Sequence, residues 1–146
     1  MQVTFDAADP AALSRFWADA LGYELDAPPA GFETWDAFLD ARGVPGAERN
    51  RASAIHDPEG VGPRLFFHQV PEGKTAKNRV HLDLRKAPGV TDPAERMRLL
   101  EVECDRLVGL GATRLTRHEP VGLSLGFIVL RDPVMWGFFA VPFAIH

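Results

Sequence analysis

Cysteine, excess positive charge and long apolar runs are all missing from this sequence. Cys104 is the one cysteine among 146 residues, which excludes an internal disulfide and any metal cluster built from several cysteines. The formal net charge of −4 argues against nucleic acid or an anionic membrane as the main partner. The most apolar stretch, residues 126–145, is interrupted by Arg131, Asp132 and Pro133, so we expect no membrane span.

Several sequence motifs are also missing. The N-terminal residues MQVTFDAAD lack the basic region and apolar segment of a secretion signal, so we expect a cytoplasmic protein. The chain has no P-loop, no GxGxxG after a strand, no GxSxG and no CxxC pair. Nucleotide binding, Rossmann-type cofactors and serine hydrolysis are therefore disfavoured.

What the chain does contain is enough apolar sequence for a core: 46% of its residues are hydrophobic and 25% are charged. Its length suits one domain, or two very small halves packed together. Two Asp-Pro pairs, at Asp9 and Asp92, each predict the start of a helix, because aspartate caps a helix and proline suits its first position. The less regular segment from Trp35 to Arg51 is a candidate lid or dimer contact.

The two halves of the chain match in order. Four stretches of the first half have counterparts in the second: VTFD with VHLD, ALGYEL with GLGATRL, AIHDP with VLRDP, and FFHQV with GFFAV. Each half reads as β-α-β-β-β. An ordered set of four matches favours an internal duplication.

A dense polar row marks the first strand of the second half, in the stretch KNRVHLDLR. Alternation places Val80, Leu82 and Leu84 on one face and Arg79, His81, Asp83 and Arg85 on the other. The first strand of the first half repeats this row with Gln2, Thr4 and Asp6. Two related polar rows favour the wall of a pocket over two independent solvated faces, although an exposed ladder of ion pairs is the alternative.

Three stretches carry a resemblance to a known family: FDAADPAALSRFWADALGYEL, FHQVPEGKTAKNRVHLDLR and VGLGATRL. They resemble the glyoxalase-like domain proteins of the vicinal oxygen chelate superfamily, in their actinobacterial-type subgroup. The resemblance implies an α+β fold in which two tandem β-α-β-β-β modules, about 1–76 and 77–146, form a curled mixed eight-stranded sheet within a single domain. It also implies a ligand site on the concave face, within one chain or shared in a homodimer.

The resemblance further implies four ligand positions, on the first and last strands of each module. His81 fills one, Gln2 or Thr4 a second, and His68 a third. The repeat alignment places Phe139 at the fourth, where metal-dependent relatives usually have a glutamate. Phenylalanine can neither bind a metal nor move a proton. A divalent ion (zinc, nickel, manganese or iron) held by Gln2, His68 and His81 would therefore lack an anionic ligand.

Three functions are open at this point. The first is a small-molecule-binding protein without the family's metal site, whose ligand contacts Gln2, Thr4, Asp6, His68, His81, Asp83 and Phe139. The second is a metal-dependent lyase or isomerase that uses His68 and His81. The third is a regulatory or interaction domain without catalysis. Asp6 and Asp83 are either general bases or anchors for nearby amides and arginines, and the two histidines are either ligands or hydrogen-bonded cavity residues.

Overall fold

The chain forms two compact units, Met1–Gly73 and Lys74–His146. A computed structural model describes residues 1–73, 81–86, 88–122, 124–134 and 138–142. Arg79 and Val80 of the predicted polar strand lie outside these residues. Among the described residues, no helix is both long and apolar enough to cross a bilayer.

Unit one is a four-stranded sheet with one helix packed against it. Its elements are β1 (Gln2–Ala7), α1 (Pro10–Leu21), β2 (Glu24–Leu25), α2 (Trp35–Ala41), β3 (Ala52–His56) and β4 (Arg64–Gln69). The strand order is β1-β4-β3-β2. β1 and β4 run parallel, whereas the other neighbours are antiparallel.

Helix α1 begins and ends as its sequence predicts. The Asp9 carboxylate accepts a hydrogen bond from the Ala12 N–H at 3.0 Å, and Gly22 ends the helix at φ 73°. Asn50, far along the chain, donates to the Asp9 carboxylate at 2.7 Å and accepts from the Ala11 N–H at 2.8 Å. The cap therefore also ties residue 50 to the start of α1.

One face of the unit-one sheet is covered by α1 and the other is not. The odd-numbered side chains Ile55, Leu65 and Phe67 are buried, Phe67 completely. Ser53, on the same face of β3, donates to the Ser14 hydroxyl of α1 at 2.7 Å. The even-numbered side chains therefore form the face that α1 does not cover, called the open face below. Alternation along β1 predicts the same two faces.

Unit two repeats this architecture. Its elements are β5 (Leu82–Asp83), α3 (Pro93–Gly109), β6 (Thr113–His118), β7 (Phe127–Arg131) and β8 (Phe138–Pro142). The strand order β5-β8-β7-β6 matches that of unit one, and β5 and β8 are again parallel. Asp92 caps α3 by accepting from the Glu95 N–H at 2.7 Å. The predicted β-α-β-β-β duplication is therefore confirmed, with α2 as an addition in unit one.

The core of unit two lies between α3 and its sheet. Leu100, Cys104 and Leu107 on α3 are completely buried, as are Ile128 and Leu130 on β7. The three α3 residues have the three- and four-residue spacing of one helix face. The lone cysteine is therefore a core residue.

Two neighbouring phenylalanines on β4 test which face is buried. Phe67→Ala should lower the free energy of unfolding by about 3–5 kcal/mol, because it leaves a cavity in the core. Phe66→Ala, on the open face, should cost less than half as much. Urea denaturation of both variants measures the difference, and similar losses would contradict the assignment of faces.

The role of Asp9 as the cap of α1 predicts that part of the stability of the fold is lost at acidic pH. The hydrogen bond from Asn50, and next that from the Ala12 N–H, hold the pKa of Asp9 below its usual value. Ionised Asp9 therefore stabilises the fold above the pKa it has in the unfolded chain, and this contribution disappears as the pH falls through its folded value.

Asp9→Asn, which keeps a capping side chain, should flatten the loss of stability on acidification. Urea denaturation from neutral to acidic pH measures this, with Asp105→Asn on the exposed side of α3 as the matched control. If the wild type and the Asp9 variant lose stability equally on acidification, the ionised Asp9 cap does not contribute to the acid sensitivity of the fold.

Candidate functional site

The open face of unit one arranges its side chains in three rows across the sheet. The strand register pairs Gln2 with Arg64, Thr4 with Phe66, and Asp6 with His68. On the other side of β4, Ala54 pairs with Phe66 and Ala52 with His68, and Glu24 of β2 pairs with His56. Extending the register by one residue places His56 beside Arg64. The first and third rows are polar, and the middle row has Phe66 and Ala54 at its centre.

Arg64 belongs to a hydrogen-bond network on this face that also includes Gln2, Asp26 and His56. Its Nε donates to Asp26 Oδ2 at 2.8 Å, and its Nη2 lies 2.6 Å from the same oxygen. Its Nη1 donates to the side-chain oxygen of Gln2. The guanidinium also lies over the ring of Phe66, 5.5 Å from the centroid. On its other carboxylate oxygen, Asp26 contacts His56 Nδ1 at 2.9 Å.

Asp26 is held in place by its backbone as well. It directly follows β2, and its N–H donates to the Ala54 carbonyl at 3.0 Å, which continues the strand pairing by one residue. Its carbonyl accepts from the Trp35 indole N–H at 2.8 Å. Only 24% of the Asp26 side chain is exposed, against 39% for Arg64 and 43% for His56. The least exposed member therefore lies at the middle of the network and joins the other two.

The predicted site residues of unit one all lie on the open face. Gln2, Thr4, Asp6 and His68 are exposed there. Both ends of the Gln2 amide are engaged, because its oxygen accepts from Arg64 and its nitrogen donates to the Thr4 hydroxyl at 3.4 Å. Gln2 and His68 are four residues apart along the register, which corresponds to about 13 Å along the strands.

In unit two, His81 and Asp83 are exposed while Leu84 is buried, as the alternation predicts. Residue 139 is in register with Leu82, and on its other side with the buried Leu130. Asp83 is in register with residue 140 instead. Phe139 and Asp83 are therefore not register partners.

The register also revises the alignment of the two repeats. Phe5 pairs with Phe67 in unit one as Leu82 pairs with Phe139 in unit two. Phe139 thus corresponds to Phe67, and Ala140 to His68, one residue away from the predicted matching. The ligand position equivalent to His68 still lacks a carboxylate, because residue 140 is an alanine.

The described residues of unit one do not fit a divalent metal at Gln2. The oxygen that would bind the metal accepts a hydrogen bond from the Arg64 guanidinium, whose positive charge repels a cation at that position. Within the part of the chain that the structure describes, no group of three or more His, Cys, Asp and Glu residues could hold a metal ion. On the open face, the polar contacts around Gln2 are hydrogen bonds and the ion pair of Arg64 with Asp26.

Arg64, Asp26 and His56 are candidate site residues that no sequence pattern indicated. Asp26 reads as the end of a short strand, and His56 as the residue before an Asp-Pro turn. Their one common signal is position, because all three have even numbers, as Gln2, Thr4 and Asp6 of β1 do. That signal becomes specific only when the strand neighbours are known.

A groove in unit two is a weaker candidate. It has a volume of about 560 Å³ and is lined by Pro93, Ala94, Met97, Arg98, Glu101, Arg117, Glu119 and Pro120. Burial raises the pKa of Glu101, but ion pairs with Arg114 and Arg117 outweigh this and hold it below its usual value. Arg117 also contacts Glu119 at 2.6 Å. These charges largely neutralise one another, so they offer little to attract a ligand.

Comparisons with known proteins agree with this architecture. A family model described as "Glyoxalase-like domain" matches residues 2–138. A glyoxalase/bleomycin resistance protein/dioxygenase family enzyme from Burkholderia phytofirmans PsJN has a TM-score of 0.62 at 12% identity, covering 99% of this chain and 97% of that one. A comparison with curated proteins finds no match.

Two other similar structures contain ligands. A fosfomycin resistance protein from Listeria monocytogenes, complexed with Mn(II) and 1S,2S-dihydroxypropylphosphonic acid, has a TM-score of 0.61 at 10% identity, covering 99% of this chain and 88% of that one. A bleomycin-binding protein from Streptomyces verticillus, complexed with copper(II)-bleomycin, has a TM-score of 0.50 at 15% identity, covering 99% and 95%. At these identities the likeness shows the fold alone, and it confirms the predicted α+β fold.

The ion pair of Arg64 and Asp26 should contribute measurably to stability. In a double-mutant cycle with Arg64→Met and Asp26→Asn, we expect a coupling energy of about 1 kcal/mol, since both side chains are partly exposed to water. The more exposed pair Arg51 and Glu48, with side chains 67% and 46% exposed, is the control and should couple by less than about 0.5 kcal/mol. Equal couplings in urea denaturation would show that the network is loosely held.

Proposed function

Because the chain belongs to the glyoxalase-like domain family, we propose that it binds a small organic molecule on the open face of unit one, with Arg64 in place of a metal ion. The observation that carries this proposal is the hydrogen bond from Arg64 to Gln2. It places a fixed positive charge at Gln2, which is one of the two residues, Gln2 and Thr4, that the family resemblance offers as a metal ligand on β1. Arginine also offers hydrogen bonds in a fixed geometry, which suits recognition of an oxygen-bearing ligand.

The rows of the open face determine which shape of ligand fits. The middle row supplies an apolar floor from the partly exposed ring of Phe66, beside the small and buried Ala54. Polar side chains lie on both sides of it, about 7 Å away along the strands. We therefore expect a flat molecule with an apolar body and polar groups at its ends.

Arg64 has capacity left for a ligand. Each terminal nitrogen of a guanidinium carries two hydrogens. Nη1 donates one of its hydrogens to Gln2, and Nη2 uses at most one of its hydrogens for Asp26. A second hydrogen remains on each nitrogen, on a side chain that is 39% exposed. Asp26 compensates most of the charge, so the site should prefer ligands that need a directed hydrogen bond over highly charged anions.

The predicted roles of the other residues follow from the same face. Thr4, Asp6 and His68 flank the floor and are proposed to contact the ligand. His81 and Asp83 stay predicted ligand-binding residues on their own exposed row in unit two. A homodimer stays a prediction, for which size-exclusion chromatography with light scattering is the test.

Metal content separates this proposal from a metal-dependent lyase or isomerase. Protein purified without added metal, and again after dialysis against zinc, nickel, manganese or iron salts, should contain far less than one equivalent by plasma mass spectrometry. His68→Ala and His81→Ala should leave that content unchanged. Near-stoichiometric metal that disappears in either variant would overturn the proposal and favour the lyase or isomerase.

The location of binding is tested separately. A panel of small planar aromatic compounds should shift amide NMR signals of the even-numbered residues of β1, β3 and β4. Phe66→Ala should weaken these shifts, because it removes the floor. Ser53→Ala, on the helix-covered face of β3, is the matched control and should retain them. Shifts confined to α1 or to unit two would place the ligand elsewhere.

A further inference from the structure

His56 differs from the other histidine of the open face in being oriented by a carboxylate. Its Nδ1 lies 2.9 Å from Asp26 Oδ1. Asp26 is ion-paired with Arg64, so its carboxylate accepts hydrogen bonds and donates none. The contact therefore requires the proton of the imidazole to be on Nδ1. In the neutral ring, Nε2 then carries a lone pair and no proton.

The other edge of the imidazole is available to a ligand. Among the described residues, Nε2 has no hydrogen-bond partner, and 43% of the His56 side chain is exposed. His68, by contrast, has no carboxylate within ion-pair distance among those residues, although Asp6 is its register partner. One imidazole on this face is thus held in a defined tautomer and the other is not.

Asp26 is well suited to hold the ring in place. Its N–H, its carbonyl and one carboxylate oxygen are bound by Ala54, Trp35 and Arg64 respectively, which leaves the second carboxylate oxygen directed at His56. A carboxylate fixed at so many points cannot easily turn away when a ligand binds. Asp26 and Arg64 are therefore positioning residues for His56.

We propose that His56 is the proton acceptor of the open-face site, and that the ligand is a planar conjugated molecule with an acidic hydroxyl, of the phenol or enol type. This rests on the proposed function in that the ligand body lies on Phe66. The O–H bond of the ligand breaks, its proton moves to Nε2, and the electron pair stays on the ligand oxygen. Asp26 stabilises the imidazolium that forms, and the remaining N–H groups of Arg64 face the new oxyanion.

The tautomer of His56 gives the first test, and it needs no ligand. Nitrogen-15 NMR of the histidine rings, at a pH where they are neutral, should show His56 with its proton on Nδ1. His118, which stacks on Phe127 at 4.3 Å in unit two, is the comparison and should show the commoner Nε2–H form.

Asp26→Ala should return His56 to the Nε2–H form, and the amide spectrum shows whether that variant is folded. If it is not, the wild-type tautomer alone decides. A wild-type His56 with its proton on Nε2 would overturn the proposal.

Reaction with p-nitrophenyl acetate tests whether Nε2 is accessible. The Nε2 lone pair forms a bond to the acyl carbon, the ester C–O bond breaks and p-nitrophenolate leaves; water then hydrolyses the acetylimidazole to acetate. His56→Gln should lower the rate of p-nitrophenolate release, because it removes the attacking Nε2, and His118→Gln should not change it. An unchanged rate in His56→Gln would overturn the role of His56 as an acceptor for small molecules.

The two proposals fail in different ways. A bound metal ion, or ligand shifts confined to other regions, would remove the proposed function while leaving the His56 tautomer as it is. An Nε2–H tautomer or an unchanged esterolysis rate would remove the proton-acceptor role and leave metal-free binding on the open face intact.

Discussion

The parallel pairing of β1 with β4 is the constraint on which the rest of unit one depends. It joins the first and last strands of the unit and fixes Phe5 beside Phe67 and Gln2 beside Arg64. Side chains alternate with a period of two, so a slip of one residue would exchange the buried and open faces of a strand. The register of β1 with β4 therefore determines both which side chains form the core and which form the candidate site. Unit two repeats the arrangement with β5 and β8.

A guanidinium at this position changes the kind of chemistry the fold can perform. A divalent ion concentrates two charges at a point and can exchange its ligands during a reaction. Arg64 spreads one charge over a plane and is already paired with Asp26. Such a group favours recognition by direction and shape. The oriented imidazole beside it adds a proton acceptor, which a guanidinium alone cannot supply.

Much of the fold could be predicted from the sequence because its signals are local. The caps at Asp9 and Asp92, the alternation along β1 and the repeated strand order all depend on neighbouring residues or on a comparison of the two halves. The network of Arg64, Asp26 and His56 could not be predicted in this way, because its members lie on three different strands or strand ends. Which strands are neighbours is a long-range property.

The ambiguity in aligning the repeats has a related cause. Two consecutive phenylalanines occur on β4 and again on β8, and the sequence allows the second stretch to be matched in two ways one residue apart. Only the pairing of Leu82 with Phe139 decides between them. Successive side chains point to opposite faces of a strand, so a shift of one residue in the alignment changes which position belongs to a candidate site.

The added segment between β2 and β3 is attached close to both of its ends. Trp35 binds the Asp26 carbonyl, and Asn50 binds the start of α1. Between these points, α2 buries none of its residues, and Arg49 holds it together through Asp36 and Asp40. The length and sequence of this stretch can thus diverge among related proteins at little cost to the sheet, because the entropy of closing a loop grows slowly with its length. Evolution could in this way alter what surrounds the network while the network itself stays the same.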